Sequence, residues 1–186
     1  MKKLSIVLSL VVLFLSSQSA TASLIINGGF ETGDFTGWTY TAGDPSAGEP
    51  YSGVDGLLPH SGNYSAYLGD VNTPGTLSQI ITTNVQSYEL SMYLYSDGLT
   101  PNQFKVQWNG ITLYEVTDLP PQDWVRLSFS VLGTGKDTLT FSERNDKGYL
   151  NLDDVSLTVP EPSTYILLSI ALGVVGYARK KMNKRA

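Results

Sequence analysis

Ser87-Tyr88-Glu89-Leu90-Ser91-Met92-Tyr93-Leu94-Tyr95 decides the architecture. Leu90, Met92 and Leu94 fall on one side and Glu89, Ser91, Tyr93 and Tyr95 on the other. A period of two with one apolar side describes a strand covered on one face only. The pattern recurs downstream. Phe104, Val106 and Trp108 alternate with Gln103, Lys105 and Gln107, and Val125, Leu127, Phe129 and Val131 alternate with Trp124, Arg126, Ser128 and Ser130. Leu139 and Phe141 repeat it. Turn signals separate these runs: Asp97-Gly98, Asn109-Gly110, Pro120-Pro121, Gly133-Thr134-Gly135 and Asp146-Lys147-Gly148. Trp108-Asn109-Gly110-Ile111 is a tight-hairpin signature. Helical periodicity is absent between residues 23 and 158, and about eight to ten short strands predict an all-β antiparallel β-sandwich, most simply a jelly roll. Trp38 and Trp108 are expected in the core, and 41–59, rich in Gly, Pro, Ser and Asp, is expected as a long surface loop.

The two ends have another character. Met1-Lys2-Lys3, an apolar run from Leu4 to Leu15 and the small residues up to Ala20-Thr21-Ala22 form a secretory signal peptide over residues 1–22. At the other end, residues 163–178 are apolar and residues 179–186 are basic, the pattern of a membrane helix with its basic end in the cytoplasm. Sixteen residues make roughly 24 Å of helix, short against a hydrocarbon core of about 30 Å. Such a span suits a transient anchor. Pro160-Glu161-Pro162, the apolar segment and the basic cluster together resemble the PEP-CTERM protein-sorting signal, covering residues 159–186. The resemblance implies recognition by an exosortase, cleavage near Pro160-Glu161-Pro162, and release or attachment at the surface, envelope or matrix of an exopolysaccharide-producing Gram-negative bacterium.

Charge narrows the function. The chain carries a formal −5, but five basic residues face sixteen acidic ones between 23 and 159, a net of −11. Nucleic acid is excluded as a partner, because phosphate binding needs a basic patch. No cysteine and one histidine, His60, rule out disulfides, thiolate chemistry and multi-histidine metal centres. His60 beside Ser61 does not by itself place a base against a nucleophile, and no nucleophile-elbow motif is present. The sequence reads as that of a non-enzyme.

The last strand holds a contradiction of parity. In Leu150-Asn151-Leu152-Asp153-Asp154-Val155-Ser156-Leu157, the pairs Leu150/Leu152 and Val155/Leu157 lie on opposite parities, yet both want the core. A bulge at Asp153-Asp154 reconciles them and aims a carboxylate off the pleat. A buried carboxylate needs a partner; a hard cation is one, and amides or water are another. Asn27-Gly28-Gly29-Phe30-Glu31, Ser61-Gly62-Asn63-Tyr64-Ser65 and Leu152-Asp153-Asp154-Val155-Ser156 are similar to elements of jelly-roll carbohydrate-binding modules and galactose-binding-like domains. That resemblance implies first and last strands side by side. It also implies a structural Ca²⁺ held by Glu31, Asp153 and main-chain carbonyls around Ser61–Asn63.

Sugar sites set aromatic faces beside a few orienting polar groups. Parity leaves Tyr93, Tyr95 and Trp124 opposite the core residues, with Arg126, Gln107 and Glu89 on matching faces. The expected function is exosortase-sorted association with extracellular polysaccharide through this platform. The alternative is a structural or adhesive surface protein with protein partners and no sugar site.

Overall fold

The computed structural model describes residues 23–47 and 51–160, together with Gly173. The signal peptide, the apolar span 163–178 apart from Gly173, the basic tail, and Glu161 and Pro162 of the sorting motif lie outside the described residues. So do residues 48–50 of the expected long loop. Among the described residues no helix is long and apolar enough to cross a membrane.

Among the described residues ten strands form the sandwich: β1 (Thr39–Thr41), β2 (Gly53–Asp55), β3 (Ser65–Leu68), β4 (Gly75–Thr82), β5 (Ser87–Ser96), β6 (Asn102–Trp108), β7 (Ile111–Thr117), β8 (Gln122–Leu132), β9 (Lys136–Asn145) and β10 (Leu150–Thr158). One sheet runs β1-β4-β9-β6-β7 and the other β2-β3-β10-β5-β8, every pairing antiparallel. The all-β two-sheet sandwich expected from the alternation is therefore present. The long loop is less empty than its composition implies, because it contains β2 and a single 3₁₀ turn, Pro45–Ala47. Three-residue strands such as β1 and β2 carry too little alternation to read locally.

The inward faces meet in one core. Leu77, Leu90, Met92, Leu94, Phe104, Val106, Leu139 and Phe141 are fully buried, and Trp38 and Trp108 are buried as expected. The opening segment docks by aromatic packing: Phe30 stacks on Trp38 at 5.8 Å, and Trp38 meets Phe141 at 5.8 Å. It also lies beside the last strand, with Leu24 N–H donating to Leu157 O and Val155 N–H to Gly28 O, each at 2.9 Å.

The expected bulge in β10 is present. Pairing with β5 slips between Asp153 and Ser156, and Asp154 adopts φ 49°. Leu150, Leu152, Val155 and Leu157 are consequently all buried.

The sandwich has two ends. At the lower end lie the turns 83–86, 109–110 and 133–135 and the exit of β10; at the upper end lie 69–74, 97–101, 118–121 and 146–149. In the lower hairpin Asn109 and Gly110 both have positive φ, 51° and 78°, as a tight primed turn requires. Asp137 ties the three lower turns together. Its buried carboxylate accepts from Thr83 Oγ1, from Asn109 Nδ2 at 2.7 Å, and from Thr134 N at 3.0 Å and Oγ1 at 2.7 Å. Burial alone would raise its pKa, but these bonds outweigh that and hold the group at about 2. A depressed folded-state pKa contributes stability above the ordinary carboxylate pKa, and that contribution fades as pH falls toward 2. Asp137→Ala should lower unfolding free energy at pH 7 by about 2–4 kcal/mol, because three turns lose one acceptor. Denaturant melts at pH 7 and pH 2.5 should show the gap between variant and parent narrowing in acid; an equal gap would refute this role.

Candidate carbohydrate-binding face

The outer face of the sheet containing β10 carries the candidate site. Register sets Gly53, Tyr67, Asn151 and Tyr95 in one row across β2, β3, β10 and β5. The adjoining row holds Asp153, Tyr93 and Arg126. A second irregularity, in the β5–β8 pairing between Leu94 and Ser96, lets Trp124 reach Tyr95, with ring centroids 5.8 Å apart. Four of the five residues expected at the platform thus share a face: Tyr93, Tyr95, Trp124 and Arg126. Gln107 does not join them. It sits on β6, in the opposite sheet, because parity fixes which way a side chain faces and not which sheet its strand enters.

Beside Tyr95 the face deepens into an open cleft of about 560 Å³, lined by Tyr51, Asp55, Leu57, Leu58, Tyr67, Tyr149 and Asn151. Tyr67 and Tyr149 meet edge to face at 5.5 Å. Two glycines make room for them: a Cβ on Gly53 would lie 2.5 Å from the Tyr67 hydroxyl, and one on Gly69 2.7 Å from the Tyr149 ring. The cleft residues were legible in part. In Tyr149-Leu150-Asn151-Leu152 the outward parity already marks Tyr149 and Asn151, and Ser65-Ala66-Tyr67-Leu68 marks Tyr67 likewise. Runs this short carry too few alternations to single out an outward face.

His60 is the wedge between loop and platform. Its ring stacks on Tyr93 at 3.6 Å and meets Trp124 edge-on at 5.6 Å, and its Nδ1 lies 2.6 Å from Asp154 Oδ2. One face of Tyr93 is thereby covered, leaving Tyr95, Trp124, Tyr67 and Tyr149 as the more open aromatics. Arg126 is held by Glu89 at 2.8 Å. The Ser128 hydroxyl and Arg126 together lower the Glu89 pKa.

The two residues expected at a calcium site hold the same loop directly. Glu31 accepts from Asn63 N at 2.9 Å and Tyr64 N at 3.1 Å, and these amides lower its pKa. Asp153 is fully buried and accepts from His60 N at 2.8 Å, Ser61 N at 3.1 Å and Asp154 N at 2.7 Å. Burial nevertheless pushes the Asp153 pKa up, and the neighbouring Asp154 charge adds to this. A Cβ on Gly29 would lie within 3.8 Å of both the Asp153 carboxylate and the Glu31 side chain, so the two acids flank one small space. No cluster of three or more His, Cys, Asp or Glu side chains able to hold a metal occurs among the described residues. Any cation here would draw on main-chain oxygens. The donor set is hard oxygen and anionic, which is the chemistry a divalent ion takes.

No curated protein matches the chain. Solved structures share its fold. TmCBM61, determined with β-1,4-galactotriose, is 22% identical over 74% of this chain and 98% of its own, with a TM-score of 0.54. The CBM22-1 xylan-binding domain of Xyn10C from Paenibacillus barcinonensis is 21% identical over 77% and 99%, with a TM-score of 0.52. The K1 cleaved adhesin domain of Lys-gingipain from Porphyromonas gingivalis W83 is 14% identical over 72% and 96%, with a TM-score of 0.55. The PEP-CTERM protein-sorting motif matches residues 158–181. The chain therefore joins a PEP-CTERM sorting motif to a jelly roll of the kind found in carbohydrate-binding modules.

Proposed function

We propose that this is an exosortase-sorted protein of a Gram-negative envelope or matrix, which binds extracellular polysaccharide without catalysing a reaction on it. The observation that carries the reading is the row Tyr67–Asn151–Tyr95–Trp124 beside an open cleft. Aromatic rings cover apolar sugar faces, and Asn151 and Asp55, which line the cleft, would orient hydroxyls. A net of −11 over residues 23–159 favours a neutral polymer over an acidic one. The sorting motif supports export and transient anchoring before cleavage.

Two observations support the absence of catalysis. Ser61 Oγ donates to Asp154 at 2.7 Å rather than to His60, so the adjacent Ser and His form no nucleophile–base pair. Glu143, whose pKa burial raises far above the ordinary range, hydrogen-bonds Asp70, but both are sealed in the interior at 0% and 2% exposure. A glycosidic bond has no path to that pair.

Saturable binding to the host's neutral exopolysaccharide should be measurable on a glycan array. Trp124→Ala and Tyr95→Ala should each weaken it about tenfold or more, while Gln107→Ala on the other sheet leaves it unchanged. Silence from the folded protein, or equal loss in all three variants, would count against the sugar reading and favour a surface protein with protein partners.

The same reading includes a structural Ca²⁺ at Glu31 and Asp153. Without a cation, the raised pKa of Asp153 means that its contribution is fullest below the ordinary carboxylate pKa and is lost as pH rises through the folded-state value. A cation would remove that loss at neutral pH. Saturating Ca²⁺ should raise Tm by about 5–10 °C over chelator, and Glu31→Ala or Asp153→Ala should abolish the difference. Identical melts of the unaltered protein in calcium and chelator would exclude the ion.

A further inference from the structure

The lower end of the sandwich collects features that the sugar face does not use. Val85, Ile111 and Leu132 are 79%, 69% and 57% exposed. All three belong to this end. Ile111 pairs with Trp108, whose Nε1 donates to Leu132 O at 3.0 Å; Leu132 pairs with Ser87; and Gly133 N–H bonds Gln86 O beside Val85. The Asp137 carboxylate holds the turns that carry them in fixed relation. Exposed aliphatic side chains on braced turns are not a by-product of a floppy loop.

Charge follows the same axis. At the lower end Asp137 is buried beside the turns, Lys136 is exposed, and Glu89, level with Thr158, accepts from Arg126 and Ser128. Asp70, Asp97, Asp118, Asp123 and Asp146 lie in or beside the upper turns.

The tether leaves from that end. Thr158, the last residue of β10, pairs with Glu89, two residues short of the Ser87–Leu132 pair. Val159-Pro160-Glu161-Pro162 alone separates it from the apolar segment that starts at Ser163. Four residues reach at most roughly 15 Å. A headgroup layer is about 5–8 Å deep on each side of the hydrocarbon. The lower end therefore has at most about one further layer's thickness in which to stand clear.

We infer that the lower tip, Val85, Ile111 and Leu132 with Leu24 at its margin, is a membrane-resting surface that seats in the lipid headgroup layer while the C-terminal segment anchors the chain. The inference rests on the anchoring reading of residues 163–178. It sets the long axis of the sandwich upright. Asn151 of the sugar face lies seven residues up β10 from Thr158, about 23 Å along the strand at 3.3 Å per residue. The acidic upper end points away from an anionic bilayer.

The chain has no cysteine, so single labels can be placed freely. The full chain is inserted into phosphatidylcholine/phosphatidylglycerol vesicles as Val85→Cys, Ile111→Cys, Lys147→Cys or Ile170→Cys, each carrying an environment-sensitive fluorophore, and quenched by lipid-borne nitroxide. The account expects loss of most fluorescence at 85 and 111, none at 147 in the upper turn, and loss at 170 with acyl-chain nitroxide. Loss at 170 with none at 85 and 111 overturns the tip surface alone, as does equal loss at 147, which means a domain lying on its side. No loss at 170 overturns the anchoring reading and the tip with it. Contact between labels at 85 on two copies, without lipid quenching, assigns the patch to self-association and also overturns it. Hydrogen exchange on the unsubstituted chain gives the mutation-free readout: the amides of Val85, Gly110 and Ile111 should exchange more slowly on vesicles than after cleavage of the tail, and unchanged rates contradict the proposal.

Discussion

One slip of register in β10 governs both the closure of the core and the construction of the outer face. Leu150 and Leu152 need one parity and Val155 and Leu157 the other, and all four are buried. A strand can satisfy both only by inserting a residue, and Asp154 takes the left-handed conformation that this requires. Asp is among the few non-glycine residues that visit this region without heavy cost. The slip then has a second consequence. Asp153 is presented to the main chain at His60 and Ser61, and Asp154 to their side chains. The loop before β3 is fastened over Tyr93 by the same irregularity that lets the core close.

This coupling explains which features were legible in the sequence. The long strands, the Asn109-Gly110 hairpin and the β10 bulge are local: each follows from alternation or turn chemistry within about ten residues. The pairing of opening and closing segments follows from a resemblance carried by short motifs at both ends. What escaped depends on long-range partition. Gln107 faces outward as parity requires, but β6 enters the sheet opposite β5 and β8. His60 reads as an ordinary loop residue, since its partners Asp154, Tyr93 and Trp124 are distant in the chain. Tyr51 and Leu57 line the cleft from a stretch whose composition gives no period at all.

The carboxylates divide into three working environments. Asp137 is held well below its ordinary pKa by donors from three turns. Glu143 is pushed far above it by burial and by Asp70. Asp153 lies between, raised by burial yet met by three amides. The first braces the lower end, the second closes the interior and the third fastens the site loop. An acidic composition that reads as bulk solubility is therefore partly structural.

The central claim is that the outer face of the β10 sheet is the ligand face. The most direct test is amide and indole chemical-shift mapping of the folded protein during titration with fragments of the host exopolysaccharide. The account predicts perturbations that saturate together at Tyr67, Tyr95, Trp124, Tyr149 and Asn151, with Thr138 and Thr140 on the opposite sheet unmoved. Saturable shifts centred on the opposite sheet, with the β10 face silent, would contradict it.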